Sequence, residues 1–238
     1  MSTEAKYLSP EASPAFWVLF CYFWRSFTPD NNEIRHFTNL LAGCTKNLTV
    51  VNVVYDNEFS NGDLGGLKVS GWNNGSFGTV TTPRVTQYNG NGVLGYLNNN
   101  IARLELNELP KHDILRVEVE LYLHNDWKND LWKMECDGAT RILTGFSNDA
   151  LVQQAYPNWL GNGSTPSAAG TNAQQKGLPG ICNTNATQKG TSRYAIVQTF
   201  SHTNSQLMLQ LSDAGGNVND TCTRAWSINR LTISVYHN

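Results

Sequence analysis

A chain of 238 residues is long enough for one large all-β domain or two small ones, and a single sandwich-sized domain is the simpler reading. Only 15% of its residues are charged, the net charge is -2 and the isoelectric point lies near 6.2. The basic footprint that phosphate neutralisation demands is therefore missing, and nucleic acid is not an expected partner.

The N-terminal region, residues 1–45, does not read like the rest. It holds a short aromatic burst, AFWVLFCYFW at 15–24, about half of the ~20 apolar residues that a membrane-spanning helix needs, so no transmembrane span is expected. Glu4 and Glu11 accompany Lys6 ahead of the burst, unlike the basic start of an export signal. The LAGC at 41–44 has the form of a lipid-attachment motif at Cys44, but Asp30, Glu33 and Arg35 interrupt the apolar segment that should precede it. The extension is thus an arm, an anchor or an export segment, and a β-sandwich domain is expected over 46–238.

LTVVNVVY at 48–55 is rich in β-branched residues and runs into the turn cluster SNGD at 60–63, which predicts a strand. Val50, Val51, Val53 and Val54 give it two uses: the first strand of its own sandwich, or a donor strand for a neighbouring subunit. Head-to-tail donation does not close on itself and yields a homo-oligomer or filament. A second strand signal lies at 75–81. After the NGNG tract at 89–92, Ala102, Leu104 and Leu106 alternate with Arg103, Glu105 and Asn107. The clearest strand follows Pro110: Leu115, Val117, Val119, Leu121 and Leu123 share one face, Arg116, Glu118, Glu120 and Tyr122 the other. Such alternation marks an antiparallel sheet with one dry side. Residues 158–192, rich in Gly, Asn, Thr and Gln, read as a long surface excursion. Two closing strands carry Leu207, Leu209 and Leu211, then Leu231, Ile233 and Val235.

The ordered series GVLGY (92–96), ELPKHDILRVEVELYLHNDW (108–127), LWKMECDG (131–138), ILTGFSND (142–149), QAYP (154–157), YAIVQTFSHT (194–203), LMLQLSDAG (207–215) and AWSINRLTISV (225–235) resembles a family of exported jelly-roll sandwiches of bacteria and microbial eukaryotes. The resemblance covers about 55–236. It implies an all-β, antiparallel jelly-roll β-sandwich with an atypical N-terminal extension. It further implies a non-catalytic domain of an extracellular or cell-surface protein, related in shape to carbohydrate-binding jelly rolls. Two departures stand out. NDWKND at 125–130 replaces an acidic turn and shortens its loop, and SINRL at 227–231 puts Asn229 and Arg230 where the family has an Asp and no added cation. Carbohydrate-binding jelly rolls often tie their first and last strands with a structural calcium. Asp56, Glu58 and Asn229 offer the hard oxygen ligands for one, although Asn lowers the ligand charge.

Flat amphipathic rings suit pyranose faces, so Trp127 and Trp159, in polar loops, are the expected glycan-stacking residues, whereas Trp132 and Trp226 fall in strand patterns and read as core. No CxxC occurs. Cys182 and Cys222 both lie in turn-rich sequence, where a bridge formed in an oxidising compartment would pin two long loops; in a reducing one both are free thiols. Sequons at Asn47, Asn74, Asn162, Asn185 and Asn219 are glycosylation acceptors where the compartment permits. No enzyme is expected. Glu118 and Glu120 share their strand face with Arg116, Glu135 and Asp137 give only E-x-D, no GxSxG occurs, and His36, His112, His124, His202 and His237 lack metal-ligand spacing. His112 and His202 read as loop hydrogen-bonding residues. The expected function is a structural or adhesive surface protein, with a carbohydrate-binding module as the alternative.

Overall fold

A computed structural model describes residues 50–73, 76–79, 84–158, 165–182, 190–214 and 220–237. The chain divides into two units, Met1–Leu48 and Thr49–Asn238, and the described residues belong to the second. They form thirteen strands: β1 (Val50–Asn57), β2 (Lys68–Asn73), β3 (Ser76–Thr79), β4 (Arg84–Tyr88), β5 (Asn91–Leu97), β6 (Asn100–Leu106), β7 (Ile114–Asn125), β8 (Lys128–Cys136), β9 (Ala139–Ser147), β10 (Gln175–Leu178), β11 (Thr191–Ser201), β12 (Leu207–Ala214) and β13 (Arg224–His237). Among the described residues no helix is long and apolar enough to cross a membrane.

The strands make an antiparallel β-sandwich. One sheet runs β10-β11-β7-β13-β5-β4, with β1 also on β13; the other runs β3-β2-β6-β12-β8-β9. The alternation of β7 is realised as its sequence dictates. Leu115, Val117, Val119, Leu121 and Leu123 are buried in one apolar cluster that draws on both sheets, together with Trp132, Phe146, Leu209 and Trp226. Burial of such side chains contributes roughly 1.5–3 kcal/mol each.

β13 breaks the alternation in mid-strand. Trp226 and Ile228 face the core, and so do Leu231, Ile233 and Val235, which have the opposite parity. One extra residue reconciles the two halves. Ile228 pairs with Leu121 and Arg230 with Glu120, so Asn229 is a β-bulge with no partner of its own on β7. Along its other edge β13 pairs first with β5, through Trp226 and Ile228, and then with β1, from Leu231 to His237.

β1 therefore belongs to its own sandwich. Val50, Val51, Val53 and Val54 lie on a strand hydrogen-bonded to β13 of the same chain, the intramolecular of the two uses expected of it. That pairing engages one edge of β1, the edge that faces β13. Val54 packs against the core, while Val51 and Val53 stay 51% and 61% exposed. The excursion expected over 158–192 is in part regular: β10 pairs with β11, Gln154 bridges Ser167, and β11 begins at Thr191.

A smaller apolar cluster lies on the outer face of the first sheet, where Tyr88, Val93, Tyr122 and Ala225 pack with Ile181. Cys182 is bridged to Cys222 with Cα atoms 5.4 Å apart, and the Tyr88 hydroxyl donates to Pro179 O at 2.6 Å, so the segment around Ile181 is held down at both ends. Against the rings of Tyr88 and Tyr96, His124 is fully enclosed, contacting Thr191 Oγ1 at 3.0 Å and Ser227 Oγ at 2.7 Å. Burial pushes its imidazole down to about 3. Cys136, a free thiol in the core, is pushed up to about 12 for the same reason.

Candidate binding cleft

The bulge at Asn229 sits where the edge of β13 changes partner, and a cleft of about 430 Å³ opens there on the outer face of the first sheet. The chain leaving β1 forms one wall with Glu58 and Ser60, and the start of β5 forms the other with Asn91 and Gly92. Phe59, fully buried, anchors the first wall. Gly92 lets the walls approach closely, because a Cβ there would lie 2.4 Å from Phe59 O. The β4–β5 connection is the two-residue Asn89-Gly90 turn with φ of 50° and 83°, a primed hairpin turn that suits the strand twist.

Side chains from β7, β11 and β13 make the floor. Glu120 accepts from Asn229 Nδ2 at 2.8 Å and from Arg193 Nη2 at 3.3 Å, and Glu58 pairs with Arg230 Nη1 at 2.9 Å. Arg230 also grips Asp56 in a two-pronged pair, Nε to Oδ1 at 2.9 Å and Nη2 to Oδ2 at 2.7 Å, which holds the Asp56 carboxyl below its usual range. Each carboxylate lining the cleft is thus answered by a guanidinium. Two polar atoms of the floor have no partner within the protein: the donor Arg193 Nε and the acceptor Asn229 Oδ1.

The structure redistributes the residues singled out from sequence. Asp56, Glu58 and Asn229 do not converge as a calcium set. Arg230 supplies the positive charge to both acids, and the Asn229 amide turns to Glu120. Among the described residues no group of three His, Cys, Asp or Glu side chains is placed to hold a metal ion. Trp127 is not a stacking platform: it is 0% exposed, donates Nε1 to Ala225 O at 2.9 Å, and lies with the Arg224 guanidinium 5.3 Å over its ring. The indole turns inward, where a large apolar side chain is most stable. Trp159 and the sequon residues Asn47, Asn74, Asn162, Asn185 and Asn219 lie outside the described residues. Glu118 pairs with Arg116, and Glu135 with Lys133 at 2.9 Å on the opposite sheet.

Arg193, Gln87, Asn91 and Arg230 line the cleft without having been singled out as ligand-binding. The one usable signal was the loss of parity between Ile228 and Leu231, which marks a bulge and hence a re-aimed side chain.

No family model and no curated protein matches the chain. Among solved structures it is similar to dimeric latent PorU from Porphyromonas gingivalis, with 7% identity and a TM-score of 0.32 over 58% of this chain and 10% of that one. It is also similar to a cycloisomaltooligosaccharide glucanotransferase of Paenibacillus sp. in complex with cycloisomaltoheptaose, with 14% identity and a TM-score of 0.31 over 75% of this chain and 18% of that one. The chain thus spans less than a fifth of either protein, and at these TM-scores the likenesses carry no functional argument.

Proposed function

We propose that this protein is a non-catalytic β-sandwich module of an extracellular or cell-surface protein, and that it binds a glycan in the cleft beside Asn229. The observation that carries the reading is the lining of the cleft, where the side chains of Glu58, Glu120, Arg193, Asn229 and Arg230 bring hydrogen-bond donors and acceptors together. A sugar hydroxyl both donates and accepts, so it suits a lining that offers both kinds of partner. The amides of Gln87 and Asn91 on the rim add further partners of both kinds. Binding of this sort recognises a polar face through hydrogen bonds and serves adhesion.

Two observations support the rest of the reading. The Cys182–Cys222 bridge favours an oxidising compartment. Hydrolysis by a carboxylate pair needs one carboxylic acid held protonated, and the two carboxylates of the cleft are instead ion-paired with Arg193 and Arg230. The series of motifs from GVLGY to AWSINRLTISV, with its resemblance to exported sandwiches, points the same way.

The experiment is a glycan array probed with the full chain, with Arg193→Lys and with Asn229→Ala. Arg193→Lys keeps the charge and deletes the Nε donor. The expected result is a defined set of bound glycans, at least tenfold weaker binding by either variant, and no cleavage of any bound glycan. An array silent for the folded wild type, or binding untouched by both variants, defeats the reading. Cleavage that disappears in Glu120→Gln would make the protein an enzyme.

A further inference from the structure

Away from the cleft, at the end of the sandwich where the β6–β7, β8–β9 and β11–β12 connections meet, two histidines face each other. His112 and His202 are 2% and 7% exposed, their rings lie within 13° of parallel, and His112 Nε2 is 2.6 Å from His202 Nδ1. Their outer nitrogens are also engaged. His112 Nδ1 is 2.6 Å from Pro110 O, and His202 Nε2 is 2.9 Å from Asp137 Oδ2. The Asp137-Gly138 hairpin turn, with φ of 51° and 76°, aims that carboxylate, and its other oxygen accepts from Met208 N at 2.8 Å.

Counting protons along this row decides its charge. A carbonyl and a carboxylate only accept, so both outer nitrogens must donate. The inner contact needs one proton of its own. Three protons are required, and two neutral imidazoles carry only two. We propose that His112 and His202 form a buried pair that holds one shared proton, neutralised by Asp137, and that this proton closes a clasp between the two sheets. A metal ion between the rings fits the spacing poorly, since ligand nitrogens at about 2.0–2.1 Å from a tetrahedral ion stand roughly 3.3 Å apart.

The clasp joins elements of both sheets. His112 precedes β7, and His202 follows β11, both in the first sheet; Asp137 turns β8 into β9 in the second. Backbone bonds run beside it, from His202 N to Asp113 O at 3.1 Å, Leu109 N to Ser205 O at 2.9 Å and Asp137 N to Met208 O at 2.9 Å. Other charged groups surround it. Asp113 engages His237 Nδ1 at 2.7 Å and so contributes its charge to the end of β13. Arg141 of β9 lies over the Phe200 ring, which meets His202 edge-on. Lys111, next to His112, is exposed.

Loss of the shared proton would set two lone pairs against each other, and a second proton would set two N–H groups against each other, so the contact needs one proton and no more.

The test uses the full chain labelled with 15N and observes the imidazole nitrogens at neutral pH. The expected result is that both outer nitrogens are protonated and one proton is shared by the inner two. An outer nitrogen without its proton overturns the proposal. So does a fall in melting temperature on dialysis against a chelator, because a metal would then hold the rings. In parallel, the urea midpoint of His112→Gln is compared with that of wild type at neutral pH; a lower midpoint is expected, and an unchanged one would mean that the pair closes no clasp.

Discussion

Asn229 occupies the one position of β13 between Ile228 and Arg230 that faces no residue of β7, yet its side chain reaches Glu120 Oε2 at 2.8 Å. The bulge lets both halves of β13 put their apolar residues into one core, and it also creates the cleft floor. The two roles separate experimentally. Asn229→Ala keeps the bulge and loses one hydrogen bond to a charged group, so it should cost about 1.5–3 kcal/mol in urea denaturation with an unchanged m-value. Deleting Asn229 forces either Trp226 and Ile228 or Leu231, Ile233 and Val235 to the wrong face, and circular dichroism of that variant should show no cooperative transition.

Trp127 is a core residue, and its truncation should read as one. Trp127→Ala removes a fully buried indole and its bond to Ala225 O, with an expected loss of about 3–5 kcal/mol in denaturation. A folded, undiminished Trp127→Ala that has lost only ligand affinity would return this side chain to the binding surface.

His124 should make the fold acid-sensitive. Its folded-state value of about 3 lies below the ordinary 6.5, so between those limits the unfolded chain takes up a proton that the buried ring refuses. Stability is therefore unaffected by this group above about pH 6.5 and falls by up to about 1.4 kcal/mol per pH unit as pH drops toward 3. His124→Gln should be less stable near neutrality, having lost two ring contacts, and should show a shallower acid limb in melting temperature against pH. Equal limbs would mean that the ring is solvated.

The Cys182–Cys222 bridge closes a loop with a sequence separation of 40, for which chain entropy gives about 4 kcal/mol. The double variant Cys182→Ala, Cys222→Ala, or wild type in reductant, should denature at a correspondingly lower urea concentration. Because the bridge also holds Ile181 in the outer apolar cluster with Tyr88 and Tyr122, hydrogen exchange should rise first in the Thr191 end of β11 and the Arg224 end of β13. A midpoint indifferent to reductant would mean that the loop is pinned by packing alone.

The sequence by itself determined the class of fold and most of its faces. Period-two alternation in β7 and in the second half of β13 fixes which side chains are dry, because successive residues of a strand point to opposite faces whatever the strand pairs with. It also identified polar, turn-rich segments around Cys182 and Cys222 suited to a bridge. Alternation, however, says nothing about which strand lies beside which, and the pairings of β13 with β5 and β1, and of β12 with β6, join residues more than a hundred positions apart. Glu58, Glu120, Arg193 and Asn229 come from four separate stretches and meet only because β13 lies between β7 and the β1–β5 edge. His112, Asp137 and His202 looked like isolated loop residues until the two sheets closed over one end. Tertiary structure alone also turned Trp127 inward and gave Arg230 the acids that a calcium ion was expected to hold. In each case long-range register and desolvation choose among partners that local sequence leaves equivalent.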